Sequence, residues 1–173
     1  NAYSGTAASF EEMTVEQWRS ALDGAMTSTF LCTQAAAEPM KQEGSGTILN
    51  IGSIYGVVAP DQRIYGQAGN NNPPNYGPAK AGVIQFTRWA ATYLAEWNIR
   101  VNCISPGGFY NEQRARQDEY YDTDFVSNYC DRTPLGRMGN DTDLKGPIAM
   151  LASDAGKWIT GQNLLVDGGW TIW

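Results

Sequence analysis

Histidine is absent from the 173 residues, and with it go Ser-His-Asp hydrolysis, Cys-His proteolysis and every His-ligated metal site. Cysteine is scarce. Cys32, Cys103 and Cys130 are scattered, odd in number and without a Cys-x-x-Cys pair, so they read as reduced packing thiols of a cytoplasmic protein. Positive charge is also short: 12 Lys and Arg face 18 Asp and Glu, a formal charge of −6. That argues against nucleic acid as a partner, because phosphate binding needs a basic face. No apolar run approaches membrane-spanning length and no signal-peptide pattern opens the chain. Neither a membrane partner nor export is expected.

What is present is an ordinary globular composition, 42% hydrophobic and 17% charged, in a chain long enough for one domain with a substantial core. The informative stretch runs from Ile48 to Lys80. An apolar run (TILNIGS) ends in Ser53, a polar excursion rich in Gly, Asn and Pro follows, and Tyr76 and Lys80 then open a helical pattern. Four positions apart on a helix, Tyr76 and Lys80 project from one face. A phenol beside an ammonium is a proton-transfer pair, since positive charge favours the phenolate. Bringing a tyrosine from its ordinary value near 10 to neutrality takes about three pKa units, on the order of 4 kcal/mol. A lysine supplies part of that and a positively charged cofactor ring could supply more. Ser53, at the strand's carboxyl end, could hydrogen-bond a substrate oxygen held beside the phenol. Tyr-x-x-x-Lys also recurs by chance on amphipathic helices, so order and context must carry the reading.

The order is strand, Ser, long loop, helix with Tyr and Lys, then a second strand (IRVNCI) ending in Pro106-Gly107-Gly108. It resembles the short-chain dehydrogenase/reductase family, and the ending ITGQNLLVDGG is similar to the same family. The resemblance covers nearly the whole chain but only the later part of the family's domain. It implies an α/β fold, a Rossmann-type doubly wound parallel sheet in three α/β/α layers, truncated at its amino-terminal side. Residues 1–173 would be a single partial domain, with 54–75 an insertion loop and 109–133 a substrate lid. The glycine-rich pyrophosphate turn and the residue that separates NAD from NADP fall outside this sequence.

The same resemblance implies an enzyme interconverting a secondary alcohol and a ketone with NAD or NADP by hydride transfer, with no metal required. Ser53, Tyr76 and Lys80 match the family's catalytic set, Tyr76 as acid/base and Lys80 lowering its pKa and binding the cofactor ribose. Asn1, Pro106, Gly107, Phe109 and Asn111 join Tyr76 and Lys80 as cofactor-binding positions. Asn1-Ala2 resembles the middle of the family's Asn-Asn-Ala-Gly, and Asn111 stands where a threonine is usual. The relay asparagine of the family falls at Ala25, which cannot hold a water by hydrogen bonds.

YGVVAPDQRIY resembles a subgroup associated with sugar and sugar-acid oxidation. A gluconate-type acid, polyol or related small polar substrate is therefore expected, with Gln62, Arg63, Tyr65 and Arg114 as candidate substrate contacts and Arg63 facing a carboxylate. Arg116, Tyr120 and Tyr121 could shape the same site. Three other readings stay open: a ketoacyl carrier-protein reductase, a sugar-nucleotide epimerase or dehydratase, and a non-catalytic oligomerisation partner.

For the helices, Thr14 and Gln17 form a capping-box pattern. Trp18, Leu22, Met26 and Phe30, with Ala25 and Thr29 beside them, recur as an expected buried stripe. The helix from Tyr76 to Trp97 is expected to bury Ala79, Val83, Phe86, Ala90, Tyr93 and Leu94. Asp141 is a plausible cap, with Leu144, Ile148 and Leu151 buried behind it. The family packs its two long helices against another subunit, so a homodimer or homotetramer is implied, with the aromatic tail Trp170–Trp173 docked in an interface.

Overall fold

In the computed structural model, residues 9–66, 71–110 and 123–173 are described. Three parallel strands, β1 (Gly46–Ile51), β2 (Ile99–Pro106) and β3 (Asn163–Val166), form a sheet in the order β1-β2-β3. Gly46 pairs with Ile99 and Ile51 with Ile104, while Cys103 pairs with Asn163 and Pro106 with Val166. The expected α/β architecture is what forms.

Strand alternation sorts the layers. Ile99, Val101 and Cys103 turn to α3 (Tyr76–Leu94) and α2 (Ser28–Glu43), where Ala37, Ala90, Ala91 and Leu94 close a core. Arg100 and Asn102 turn the other way. Arg100 donates to Leu151 O and Asn102 to Ile159 O, each at 2.8 Å, which fixes the end of α5 (Lys145–Ala152) on the second face. α4 (Thr123–Arg132) lies beyond the strands' carboxyl ends, against the 3₁₀ turn Gln62–Tyr65.

α1 (Val15–Leu22) begins with the expected capping box: Gln17 N donates to Thr14 Oγ1 at 3.2 Å and Thr14 N to Gln17 Oε1 at 2.9 Å. A π turn, Asp23–Thr27, then joins α1 to α2. The stripe expected on these helices holds for Ala25 and Thr29 and needs correcting for its large members. Ala21, Ala25, Thr29, Thr33 and Ala37 are the buried residues, while Trp18, Met26 and Phe30 remain 36%, 38% and 44% exposed. The helices meet backbone to backbone. Small side chains occupy the contact, and large ones flank it; Met26 covers Gly82, where an added Cβ would come within 2.4 Å of its sulfur. On α3 the same correction moves Tyr93 to an exposed position.

Other expectations also shift. β2 is buried along its middle, but β1 buries only Asn50, because among the described residues nothing pairs with its other edge. Residues 54–66 contain two 3₁₀ turns, Ile54–Gly56 and Gln62–Tyr65, rather than an unstructured loop. Asp141 does not cap α5; Leu144 precedes that helix with no side-chain cap, and Ile148 is partly exposed. Trp170 is buried inside its own chain, stacked on Tyr129 at 4.2 Å, whereas Trp173 is exposed with its Nε1 donating to Arg132 O.

The small-residue contact makes a stability prediction. Ala25→Leu should destabilise by about 1–3 kcal/mol through overpacking, and Trp18→Ser by less than about 1 kcal/mol. Urea denaturation of both variants checks the ranking.

Candidate active site

Ser53 follows β1 in extended backbone and is buried. Its Oγ accepts from Tyr55 N at 3.2 Å, which leaves the hydroxyl proton free to donate. Asn75, fully buried and donating to Gln17 O at 3.2 Å, ties the start of α3 to α1. One residue on, Tyr76 reaches the cleft beyond the strand ends. Lys80, one turn further, is 5% exposed and donates from Nζ to Ile51 O at 3.1 Å. Its Nζ lies 5.9 Å from the centroid of the Tyr76 ring.

Burial pushes the Lys80 ammonium below its ordinary value of 10.5, and the neighbouring Cys103 thiol opposes that shift. Cys103 belongs to an apolar cluster with Ala25, Ala79, Val83 and Ile84. The position where the family's relay asparagine was expected is therefore fully buried among apolar groups. Ala25 O accepts from Thr29 Oγ1 at 2.6 Å and Ser28 Oγ at 3.3 Å, so the carbonyl exposed by the π turn is bonded inside the helix.

Ser53 and Tyr76 line one cleft of about 330 Å³, together with Tyr65, Gly107 and Phe109. Pro106 ends β2 at its rim. Of the other expected positions, Asn1, Asn111, Arg114, Arg116, Tyr120 and Tyr121 lie outside the described residues. Arg63 is not brought to the cleft. Its guanidinium is held by the Asp61 carboxylate at 2.7 Å and lines a separate groove with Arg132 and Trp173. Gln62 holds the loop rather than facing the cleft: its amide exchanges hydrogen bonds with the Asn72 backbone at 3.1 and 3.4 Å.

Several cleft residues escaped the sequence reading: Tyr55, Asn72, Phe125, Tyr129 and Met138. Phe125 and Tyr129 stand four apart on α4, a helical spacing hidden within a charged stretch with no clean period. Gly108 N donates to Tyr129 Oη, and an added Cβ at Gly108 would come within 2.6 Å of the Tyr129 ring. Glycine is what lets the β2 turn and α4 approach. Asp61 pins the other side. It accepts from Arg63 N at 3.1 Å and pairs with Arg132 Nε at 3.4 Å. The Arg63 side-chain hydrogen bond first, helped by its backbone bond and by the charges of Arg63 and Arg132, holds the carboxyl down at about 2 against the opposing effect of burial. The pin is thus complete above the ordinary carboxylate value of 3.8 and is lost as pH falls through about 2.

A parallel sheet with helices on both faces and a cleft beyond its strand ends defines the Rossmann-type α/β class. A family profile described as enoyl-(acyl carrier protein) reductase matches residues 1–171, and the chain belongs to the short-chain dehydrogenase/reductase family. A short-chain dehydrogenase from Leptospira borgpetersenii, solved with bound NAD+, is 44% identical with a TM-score of 0.86, over 98% of this chain and 62% of that one. A gluconate 5-dehydrogenase from Burkholderia cenocepacia, solved with NADP and tartrate, is 29% identical with a TM-score of 0.86, over 100% of this chain and 63% of that one. The 3-oxoacyl-[acyl-carrier-protein] reductase FabG of Staphylococcus aureus is 36% identical over 158 residues, 91% of this chain and 58% of that protein. The chain thus spans about three fifths of the length of these relatives.

A depressed lysine pKa has a sign. Between the folded value and 10.5 the unfolded chain binds more protons, so stability rises with pH there, and at neutral pH the buried charge is a cost. Lys80→Met should therefore melt at the same temperature as the parent or higher, as checked by thermal unfolding at pH 7.

Proposed function

We propose that the protein built around this chain is an NAD(P)-dependent oxidoreductase interconverting a secondary alcohol and a ketone. The observation that carries the reading is the shared cleft of Ser53 and Tyr76 with the Lys80 ammonium buried beside the Tyr76 ring. The residues present suit a nicotinamide dinucleotide. One Lys80 proton goes to Ile51 O, leaving two donors that match the vicinal hydroxyls of a ribose. Pro106, Gly107 and Phe109 offer close backbone approach at the strand end.

When bound, the nicotinamide would accept or return the hydride. Every other part of the step belongs to the chain. Ser53 donates its hydroxyl proton to the reacting oxygen and so orients it. In oxidation Tyr76 takes the alcohol proton as the carbon–oxygen double bond forms, and in reduction it gives that proton back. Lys80 stabilises the phenolate through a water-poor surrounding, in which its charge is weakly screened.

We take the substrate to be small and polar, related to sugars, which the likeness to the gluconate 5-dehydrogenase supports. Reduction of an acyl-carrier-linked ketone is the second reading, favoured by the S. aureus relative. The assembly is a cytoplasmic homo-oligomer formed through α2 and α3. Phe30, Trp89 and Tyr93 are exposed there, and Trp89 stacks on Tyr93 at 5.2 Å. No helix among the described residues is long and apolar enough to cross a membrane.

Two tests follow, both on the product of the complete reading frame. Tyr76→Phe should lower kcat by about 10²-fold or more while leaving the Kd for NAD+ or NADP+ within about threefold of the parent by titration; near-parental turnover excludes the mechanism. Trp89→Lys should shift the elution volume toward a smaller species on size exclusion, and an unchanged volume excludes this face as the interface.

A further inference from the structure

We propose that the cleft selects a neutral, ring-shaped secondary alcohol or its ketone, an alicyclic or pyranose ring, over an open-chain sugar acid. This inference rests on the oxidoreductase reading above and narrows its substrate class.

Six of the twelve described lining residues are aromatic: Tyr55, Tyr65, Tyr76, Phe109, Phe125 and Tyr129. They are arranged as surfaces, not scattered contacts. Tyr65 stacks on Phe125 with centroids 5.3 Å apart and planes 29° from parallel. Phe125 is tilted against Tyr129 at 6.0 Å, and Tyr129 is backed by Trp170 at 4.2 Å. Tyr55 meets Tyr76 edge-on at 6.4 Å. A ring laid on such a wall presents C–H edges or a face to aromatic π-systems held at fixed orientation. A flexible chain makes the same contacts only after losing the freedom of several rotatable bonds.

No lining residue among those described carries a charge. Arg63, the cation expected to meet a carboxylate, is paired with Asp61 in another groove, and Lys80 is bound to Ile51 O behind the wall. The polar groups that do line the cleft are neutral, the hydroxyls of Tyr55 and Tyr65 and the amide of Asn72 among them. Burial first, then neighbouring phenols, pushes Tyr55 well above the ordinary tyrosine value, and burial first pushes Tyr129 up to about 12. A carboxylate entering here exchanges its hydration for neutral donors and hydrocarbon, which is unfavourable. A ring hydroxyl finds partners at no such cost. The volume, about 330 Å³, sits at the small end of ligand pockets and suits one or two rings.

The test uses the product of the complete reading frame saturated with NAD+ or NADP+. The neutral rings cyclohexane-1,2-diol and methyl glucopyranoside are compared with open-chain glucitol and gluconate, by kcat/KM and by saturation-transfer NMR. The expected result is at least one ring preferred over both open chains by about tenfold or more. Phe125→Leu, which keeps apolar volume and loses the π-face, should raise KM for the ring by about tenfold with kcat within about threefold, and raise KM for glucitol by no more than about threefold. Preference for gluconate or glucitol, equal loss on all four probes in Phe125→Leu, or no detectable binding of either ring overturns the proposal. A Tyr76→Phe enzyme that turns over normally overturns the parent reading instead, so the two failures are distinguishable.

Discussion

A cation withdrawn from water and held by one backbone carbonyl is the constraint on which the site depends. Lys80 reaches Ile51 O at 3.1 Å at the end of the β1 ladder. There Gly52 N makes the last bond to β2, donating to Ile104 O at 2.7 Å, before the chain continues to Ser53. The same end of β1 thus supplies the anchor for the ammonium and the hydroxyl for the substrate. α3 must then lie close enough for a lysine side chain to span the gap, and it does so because the facing residues are small. Ala25, Ala79 and Cys103 pack together there, each fully buried. A low local dielectric is what lets a charge bias a neighbouring phenol. Apolar packing and site electrostatics are, at this point, the same set of contacts.

α3 has two faces with different tasks. Toward the sheet it buries Ala79, Val83, Thr87 and Ala90, with Thr87 accepting from Asn50 at 2.9 Å. Away from it runs an aromatic row, Phe86, Trp89, Tyr93 and Trp97, each ring in contact with the next. Lys41 from α2 caps the row at 3.8 Å from the Trp97 ring centroid. So much ordered aromatic area on the helix that opens with Tyr76 links the position of that residue to the packing of this face. A helix supported on both sides holds its side chains to narrower limits than one supported on a single side.

The sheet, its parallel order and the capping box were legible in the sequence because they rest on local signals: continuous apolar runs for β2, Thr14 with Gln17, and Pro-Gly-Gly after the strand. Ser53, Tyr76 and Lys80 were singled out by their order along the chain, and the fold brings Ser53 and Tyr76 to one cleft with Lys80 beside the Tyr76 ring. The stripe on α1 and α2 was misread because size was taken for burial. Hydrophobic spacing predicts which residues are apolar on one side, but backbone proximity decides whether Trp18 or Ala21 sits at the contact. Arg63 was misread because Asp61, two residues earlier, satisfies its guanidinium in a 3₁₀ turn that no periodicity announces. Phe125 and Tyr129 were hidden because their partners, Tyr65 and Gly108, are distant in sequence.

That last pattern has a consequence for how specificity is built. Ser53, Tyr76 and Lys80 come from the end of β1 and from α3, which the core holds. The aromatic wall comes from the turn at Gln62–Tyr65 and from α4, joined to each other by Asp61 with Arg132 and to the scaffold by Tyr129 with Gly108. These few polar contacts set the distance between wall and phenol. Changes in the wall can therefore alter which molecule is held without disturbing the buried lysine, and changes near the lysine alter the chemistry without reshaping the wall. Because Tyr129 lies between Gly108 and Trp170, it is the residue through which the two halves are registered. A shift there moves the aromatic surface relative to Ser53 and Tyr76, and with it the shape of the cleft they share.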